Sequence, residues 1–167
     1  MSKEQSVDFS KIKTGGTFLT NVVGSEKVFC KELFSDEEKM IYEAMRDFAT
    51  NELLPLSQNE LNKKDEKLIR KLVEQMGELG FLGIDVPEKY GGSEMTKTGM
   101  CILAEGISFC GSPSFCTVWN VQTSIGSLGI IWYGNDEQKQ KWLPGICSGE
   151  KIAAFGLTEP EAGSDAT

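Results

Sequence analysis

A chain of 167 residues, 40% hydrophobic and 25% charged, is long enough to enclose a core and has the balance of a soluble globular protein. The formal net charge of −8, with no basic cluster to offset it, argues against a phosphate-backbone binder, so no nucleic-acid partner is expected. Five cysteines without a Cys-x-x-Cys pair, and no histidine, argue against the common zinc sets and read as buried reduced thiols of a cytosolic protein. The N-terminus lacks a basic region followed by an apolar stretch, and runs such as Gly129–Tyr133 are far too short to span a bilayer. A cytoplasmic protein with no secretory signal and no membrane span is therefore expected.

Residues 1–34 read as a polar arm with one apolar pair, Phe18-Leu19, after Gly15-Gly16. The first helix is predicted to start at Ser35, where Ser35-Asp-Glu-Glu38 has capping-box spacing, and to end at Pro55. Ile41, Met45 and Phe48 mark its inner face, with Ala44 beside them. Asp65 caps a second helix with Leu68, Ile69, Leu72, Val73 and Met76 on one stripe, stopped near Gly80. Leu79–Gly92 holds Gly80, Gly83, Pro87, Gly91 and Gly92, which exclude a continuous helix; Tyr90-Gly91-Gly92 reads as a tight structural turn.

Thr96 or Thr98 opens a third helix through Met100, Leu103, Ala104 and Ile107. Pro113–Tyr133 is the most apolar stretch, apolar around most of its circumference, and reads as a central helix. Gly126 and Gly129 would kink it or admit another backbone. Asn135-Asp-Glu-Gln138 has capping-box spacing and begins a further helix ending near Leu143-Pro144. Lys151–Phe155 reads as a short buried strand. It runs into Thr158-Glu-Pro160 and the small residues Ala162-Gly-Ser-Asp165, whose backbone and hydroxyls suit close approach to an electron-poor ring or a phosphate. On residues alone an ordinary β-turn is the competing reading.

Phe155, Leu157, Thr158, Glu159, Pro160, Gly163, Ser164 and Asp165 all fit the flavin-binding signature of the acyl-CoA dehydrogenases, which this segment resembles. Leu79–Gly92 is similar to the GLxGxxxPxxYGG-like segment of the same family's N-terminal domain. The resemblance covers roughly Asp36 to Thr167. It implies an all-α N-terminal helical domain over 35–149, followed over 150–167 by the first strand of a truncated β-domain. The remaining middle domain and a C-terminal helical bundle are expected beyond Thr167, so the chain reads as a fragment.

The family's activity is FAD-dependent α,β-dehydrogenation of a fatty acyl-CoA. A carboxylate removes the α-proton while the β-hydrogen leaves as hydride to flavin N5. By resemblance, Phe155, Leu157, Thr158, Gly163 and Ser164 would lie along FAD, with Thr158 donating to its pyrimidine edge. Phe155 departs from the tyrosine common at that position. Ser164, Val118 and Val121 would touch the acyl-CoA, although Val118, Val121 and Ile125 also read as core. Glu159 and Glu161 are not taken as the base, which the resemblance places in the C-terminal bundle. An electron-transfer flavoprotein as acceptor and a homo-oligomer (tetramer or dimer) when full length are implied as well. An acyl-CoA oxidase-like flavoenzyme and a non-enzymatic helical interaction module are the alternatives.

Overall fold

The computed structural model describes residues 31–56, 60–63 and 65–165. Among them it contains six α-helices, short 3-10 turns and no sheet, in agreement with the all-α domain expected. The predicted arm as far as residue 30, with Phe18, Leu19 and Cys30, lies outside the described residues. The chain divides into two compact units, Met1–Lys39 and Met40–Thr167.

In the first unit a 3-10 turn at Lys31–Leu33 leads to Ser35. The Ser35 hydroxyl accepts the Glu38 N–H at 3.1 Å, and the Glu38 carboxylate accepts the Ser35 N–H at 2.8 Å. This reciprocal box satisfies two donors that a helix start leaves open, and it begins α1 (Asp36–Phe48) where the sequence places it.

In the second unit α1 widens into a π-turn at Ala49–Leu53 and then tightens in a 3-10 turn at Leu54–Leu56, so the run does end around Pro55. Met45 and Phe48 are buried and Ile41 packs against the core, whereas Ala44 is exposed. α2 (Glu66–Glu78) begins at Asp65, whose carboxylate accepts the Lys67 and Leu68 N–H groups at 3.0 and 3.2 Å. Gly80 follows its end at φ +77°, a left-handed position that favours glycine.

The glycine-rich connection is packed. Phe81, Leu82, Ile84 and Val86 are buried, and a Cβ on Gly92 would collide with the Val86 carbonyl. α3 (Lys97–Ile107) is capped by Thr96, and α4 (Pro113–Thr123) by Ser112.

The long apolar stretch is two helices. α4 ends at Thr123, Ser124 takes φ −127° and ψ −106°, and α5 spans Ile125–Tyr133. The predicted kink at Gly126 or Gly129 is a break at Ser124. Hydroxyls supply the physical reason: Thr123 donates to the Trp119 carbonyl at 3.0 Å, Ser124 to that of Asn120, and Ser127 to that of Ser124 at 3.2 Å. Consecutive hydroxyls that bond backward to carbonyls compete with the helical ladder. Gly126 does admit another backbone, that of Ala153, while Gly129 faces open space.

α6 (Asp136–Cys147) starts with the predicted Asn135–Gln138 box, at 2.8 and 2.9 Å, but continues past Pro144. The Pro144 carbonyl still accepts the Ser148 N–H at 3.0 Å, so the proline removes one donor without ending the helix.

Two apolar clusters hold these helices. The larger joins Met45, Phe48, Leu53, Leu72, Met76, Phe81, Leu103, Phe115 and Trp119. The smaller joins Val86, Tyr90, Leu143 and Cys147, with Ile130 and Ile131 of α5 packed on it. The predicted buried strand at Lys151–Phe155 is corrected. Ile152, Ala154 and Phe155 are exposed, and no ladder forms among the described residues. Unpaired, a short extended segment has no sheet to enter.

Candidate functional site

The route from the helices to the terminal segment is fixed by close backbone approach. Gly149, at φ +79°, lies against the Val73 carbonyl, and a Cβ on Gly77 would meet the Ser148 carbonyl. No side chain fits at either position, so the end of α6 crosses the end of α2 at contact distance. The Arg70 guanidinium reaches the Glu150 carbonyl at 3.4 Å. Lys151 pairs with Glu150 at 2.8 Å and holds that carboxyl below its ordinary range by hydrogen bonding and charge.

One buried polar side chain then takes hold of the backbone. Gln122 of α4 is fully buried, and its amide N–H groups donate to the carbonyls of Ile146 at 2.9 Å and Lys151 at 2.8 Å. Its amide oxygen accepts the Ala153 N–H at 2.7 Å. Sequence reasoning passed over Gln122. The available signal was a long amide in the most apolar stretch of the chain, where burial requires partners.

Beyond Ala153 the chain is open. From Ala154 to Thr158 the backbone makes no hydrogen bond with the rest of the described residues. Phe155 is 56% and Leu157 54% exposed. Glu159 and Ala162 then exchange two backbone hydrogen bonds, 2.8 and 3.2 Å, around Pro160-Glu161. That turn folds the chain back, and a Cβ on Gly163 would stand 4.0 Å from the Thr158 methyl group. Phe155, Leu157, Thr158, Gly163 and Ser164 are thus gathered on one exposed segment; Glu159 and Glu161 are exposed as well. Val118 is half-buried and packs against the larger core cluster, and Val121 is half-buried on α4.

A cavity of about 450 Å³ adjoins the segment, lined by Arg70, Gly126, Ile130, Trp142, Ala153 and Ala154 among others. On the other side of α6, the Tyr90 hydroxyl donates to Asp136 at 2.6 Å. That bond, with Lys89 nearby, holds the Asp136 carboxyl below its usual range. Tyr90 therefore ties the glycine-rich turn to the start of α6, the structural role its turn predicted.

The thiols divide. Cys110 and Cys147 are buried and Cys116 half-buried, but Cys101 is exposed, so the expectation of buried thiols fails there. Burial pushes the Cys116 thiol up to about 12 and that of Cys147 to about 11. No group of residues suited to hold a metal occurs among the described residues, and no described helix is long and apolar enough to cross a membrane.

A packed helical domain thus hands an exposed Thr-Glu-Pro…Gly-Ser-Asp segment off its last helix. The family model for the acyl-CoA dehydrogenase N-terminal domain matches residues 35–150, and the chain belongs to that family. It is 43% identical over 155 residues to a probable acyl-CoA dehydrogenase of Bacillus subtilis (strain 168), covering 93% of this chain and 26% of the relative. An acyl-CoA dehydrogenase of the same organism is 37% identical over 132 residues, covering 79% of this chain and 34% of that protein. The crystal structure of an acyl-CoA dehydrogenase from Bacillus anthracis, complexed with FAD, superposes with a TM-score of 0.79 at 43% identity. That match covers 91% of this chain and 26% of the other. The chain thus spans between 26% and 34% of the length of these relatives.

Proposed function

We propose that this chain supplies one wall of the active site of an FAD-dependent acyl-CoA dehydrogenase acting on a fatty acyl-CoA thioester. The observation that carries the reading is the open segment 154–158. Among the described residues its backbone donors and acceptors have no partner, and the apolar side chains of Phe155 and Leu157 stand exposed beside the Thr158 hydroxyl. Such a surface suits a flat ring with polar edges, and the residues fit FAD as one face of its site. FAD, when bound, supplies the acceptor for the hydride that leaves the β-carbon.

The chain's own residues bind and orient. Phe155 and Leu157 offer apolar contact, Gly163 leaves room beside the Thr158 methyl group, and Thr158 donates a hydrogen bond to the ring edge where negative charge grows. Ser164 adds a donor near the thioester or its pantetheine arm. Val118 and Val121 border the acyl chain only where their core packing leaves them half-exposed. Glu159 and Glu161 are exposed, and Glu159 is tied into its turn, so neither serves as base. Proton removal falls to a carboxylate supplied by another part of a family-length protein. A homo-oligomer (dimer or tetramer), an electron-transfer flavoprotein as acceptor and a cytoplasmic setting complete the proposal.

In a family-length protein containing this chain, Thr158→Val should slow flavin reduction more than it weakens substrate binding. The loss corresponds to roughly 2–4 kcal/mol of transition-state stabilisation. Single-turnover reduction measures it, and an unchanged rate removes Thr158 from the site. Residues 1–167 alone, mixed with FAD, acyl-CoAs of several lengths and an artificial acceptor, should bleach no dye above the flavin control. Turnover abolished by Glu159→Gln or Glu161→Gln would put the base in this chain and overturn the assignment.

A further inference from the structure

We infer that Gln122 is the positioning residue of the proposed flavin segment, acting as a one-residue substitute for a neighbouring strand. This rests on the reading of Phe155–Ser164 given above. In an extended chain, the carbonyl of one residue and the N–H of the residue two further on point to the same side. Lys151 and Ala153 stand in that relation, and the Gln122 amide accepts from Ala153 N–H at 2.7 Å while donating to Lys151 C=O at 2.8 Å. One residue of an adjacent parallel strand, through its own N–H and C=O, would make the same pair of bonds. The second amide hydrogen goes to the Ile146 carbonyl near the end of α6, at 2.9 Å, so a single side chain fixes the helix exit and the extended segment to α4 together.

The chemistry of the side chain is narrowly determined. Two donors and one acceptor are used, all inside the protein, and Gln122 is 0% exposed. Asparagine is one methylene shorter. Ionised glutamate keeps the acceptor and loses both donors, and methionine keeps the length and loses everything polar. Because Gln122 binds groups i and i+2 of the segment, it sets register as well as position. A slip by one residue would present Ile152, whose N–H and C=O point the other way, and would turn Phe155 and Leu157 over. Among the described residues, the backbone of 154–158 has no hydrogen bond of its own to hold it in register. The Ile152 and Ala154 edge stays open to a strand from elsewhere.

The test uses Gln122→Met in a family-length flavoprotein carrying this chain. The Ala153 amide, followed by hydrogen exchange, should exchange about tenfold faster or more than in the parent. The visible flavin bands and the flavin midpoint potential should shift while helical circular dichroism is retained. Protection of Ala153 that survives Gln122→Met overturns the clamp. Faster exchange with an unaltered flavin spectrum and potential overturns the positioning role. In that case, a flavin still perturbed by Thr158→Val shows that the site reading stands without it. If the methionine variant loses helical signal, Gln122→Glu takes its place. Keeping the acceptor, it should protect Ala153 better than methionine does and still shift the flavin; a parent-like spectrum and potential would overturn the inference.

Discussion

α4 and α5 come from one apolar stretch and meet opposite fates. α4 buries Phe115, Trp119, Gln122 and Thr123, two of them polar, and Trp119 donates its indole N–H to the Phe81 carbonyl at 3.0 Å. α5, richer in apolar side chains, buries only Ser127, while Ile125, Trp132 and Tyr133 are 52%, 61% and 86% exposed. Hydrophobicity says that a helix needs cover; it does not say that this chain supplies it. What fixes a side chain inside is complementary partners, and α4 finds them for its amide and hydroxyl as well as for its rings.

The sharpest way to break this contrast is to remove matched rings from each side. Trp119→Ala should destabilise the helical domain by about 3–5 kcal/mol, since it opens a cavity and strands the Phe81 carbonyl. Urea denaturation measures it, and a loss under about 1 kcal/mol would show that α4 is not the structural centre. Next in size is Ser127→Leu. It adds volume where α5 is fully closed and should cost about 1–3 kcal/mol, although it makes the helix more apolar. A stabilised variant would mean that the inner face of α5 has slack.

Smaller still, Trp132→Ser and Tyr133→Ser should move stability by no more than about 0.5 kcal/mol each. They should nevertheless lower binding of a hydrophobic dye and self-association of residues 1–167, because they dismantle an exposed apolar patch. Equal dye binding before and after would place the patch elsewhere.

The least effect belongs to the tie beside α5, Tyr90 to Asp136. The Asp136 carboxyl is held below its usual range, chiefly by the Tyr90 hydroxyl and then by Lys89. Its contribution is therefore present above the ordinary carboxylate pKa and fades as pH falls through the lowered value. Tyr90→Phe should lower stability slightly at neutral pH, with the difference from the parent vanishing as pH falls through the carboxylate range; an effect at pH 7 as large as that of Trp119→Ala would contradict the exposure of the carboxylate.

Much of this was legible in the sequence, and for local reasons. Ser35, Asp65, Thr96 and Asn135 cap helices because their short side chains reach backbone donors a few residues ahead, a matter of spacing alone. The motif residues Phe155 to Ser164 were singled out differently, by resemblance to a family signature, and their role at a flavin belongs to the proposal above. What escaped were the long-range outcomes. The break at Ser124 depends on hydroxyls whose backward bonds win over the ladder, and glycines drew attention away from them. Pro144 does not end α6, since a helix survives the loss of one donor when the residues beyond it still pack: Gly145, Ile146 and Cys147 are buried. The strand was misread because an apolar run records that a segment will be covered, with no record of what covers it. Gln122 was missed because its three partners lie 24, 29 and 31 residues away.

The crossing of Gly77 with Ser148, the seat of Gly149 against Val73 and the grip on Ala153 together have a mechanical consequence. Residues 145–153 are tied to the helices, so compliance in this part of the chain falls in Ala154–Thr158, whose backbone makes no hydrogen bond among the described residues and where Gly156 has no atom near the place a side chain would occupy. Any swing of the residues beyond pivots there. That stretch acts as the bearing and the turn at Glu159–Ala162 as the start of the lever. Stiffening Gly156 with a β-branched residue would alter the arc of that lever and leave its anchor untouched.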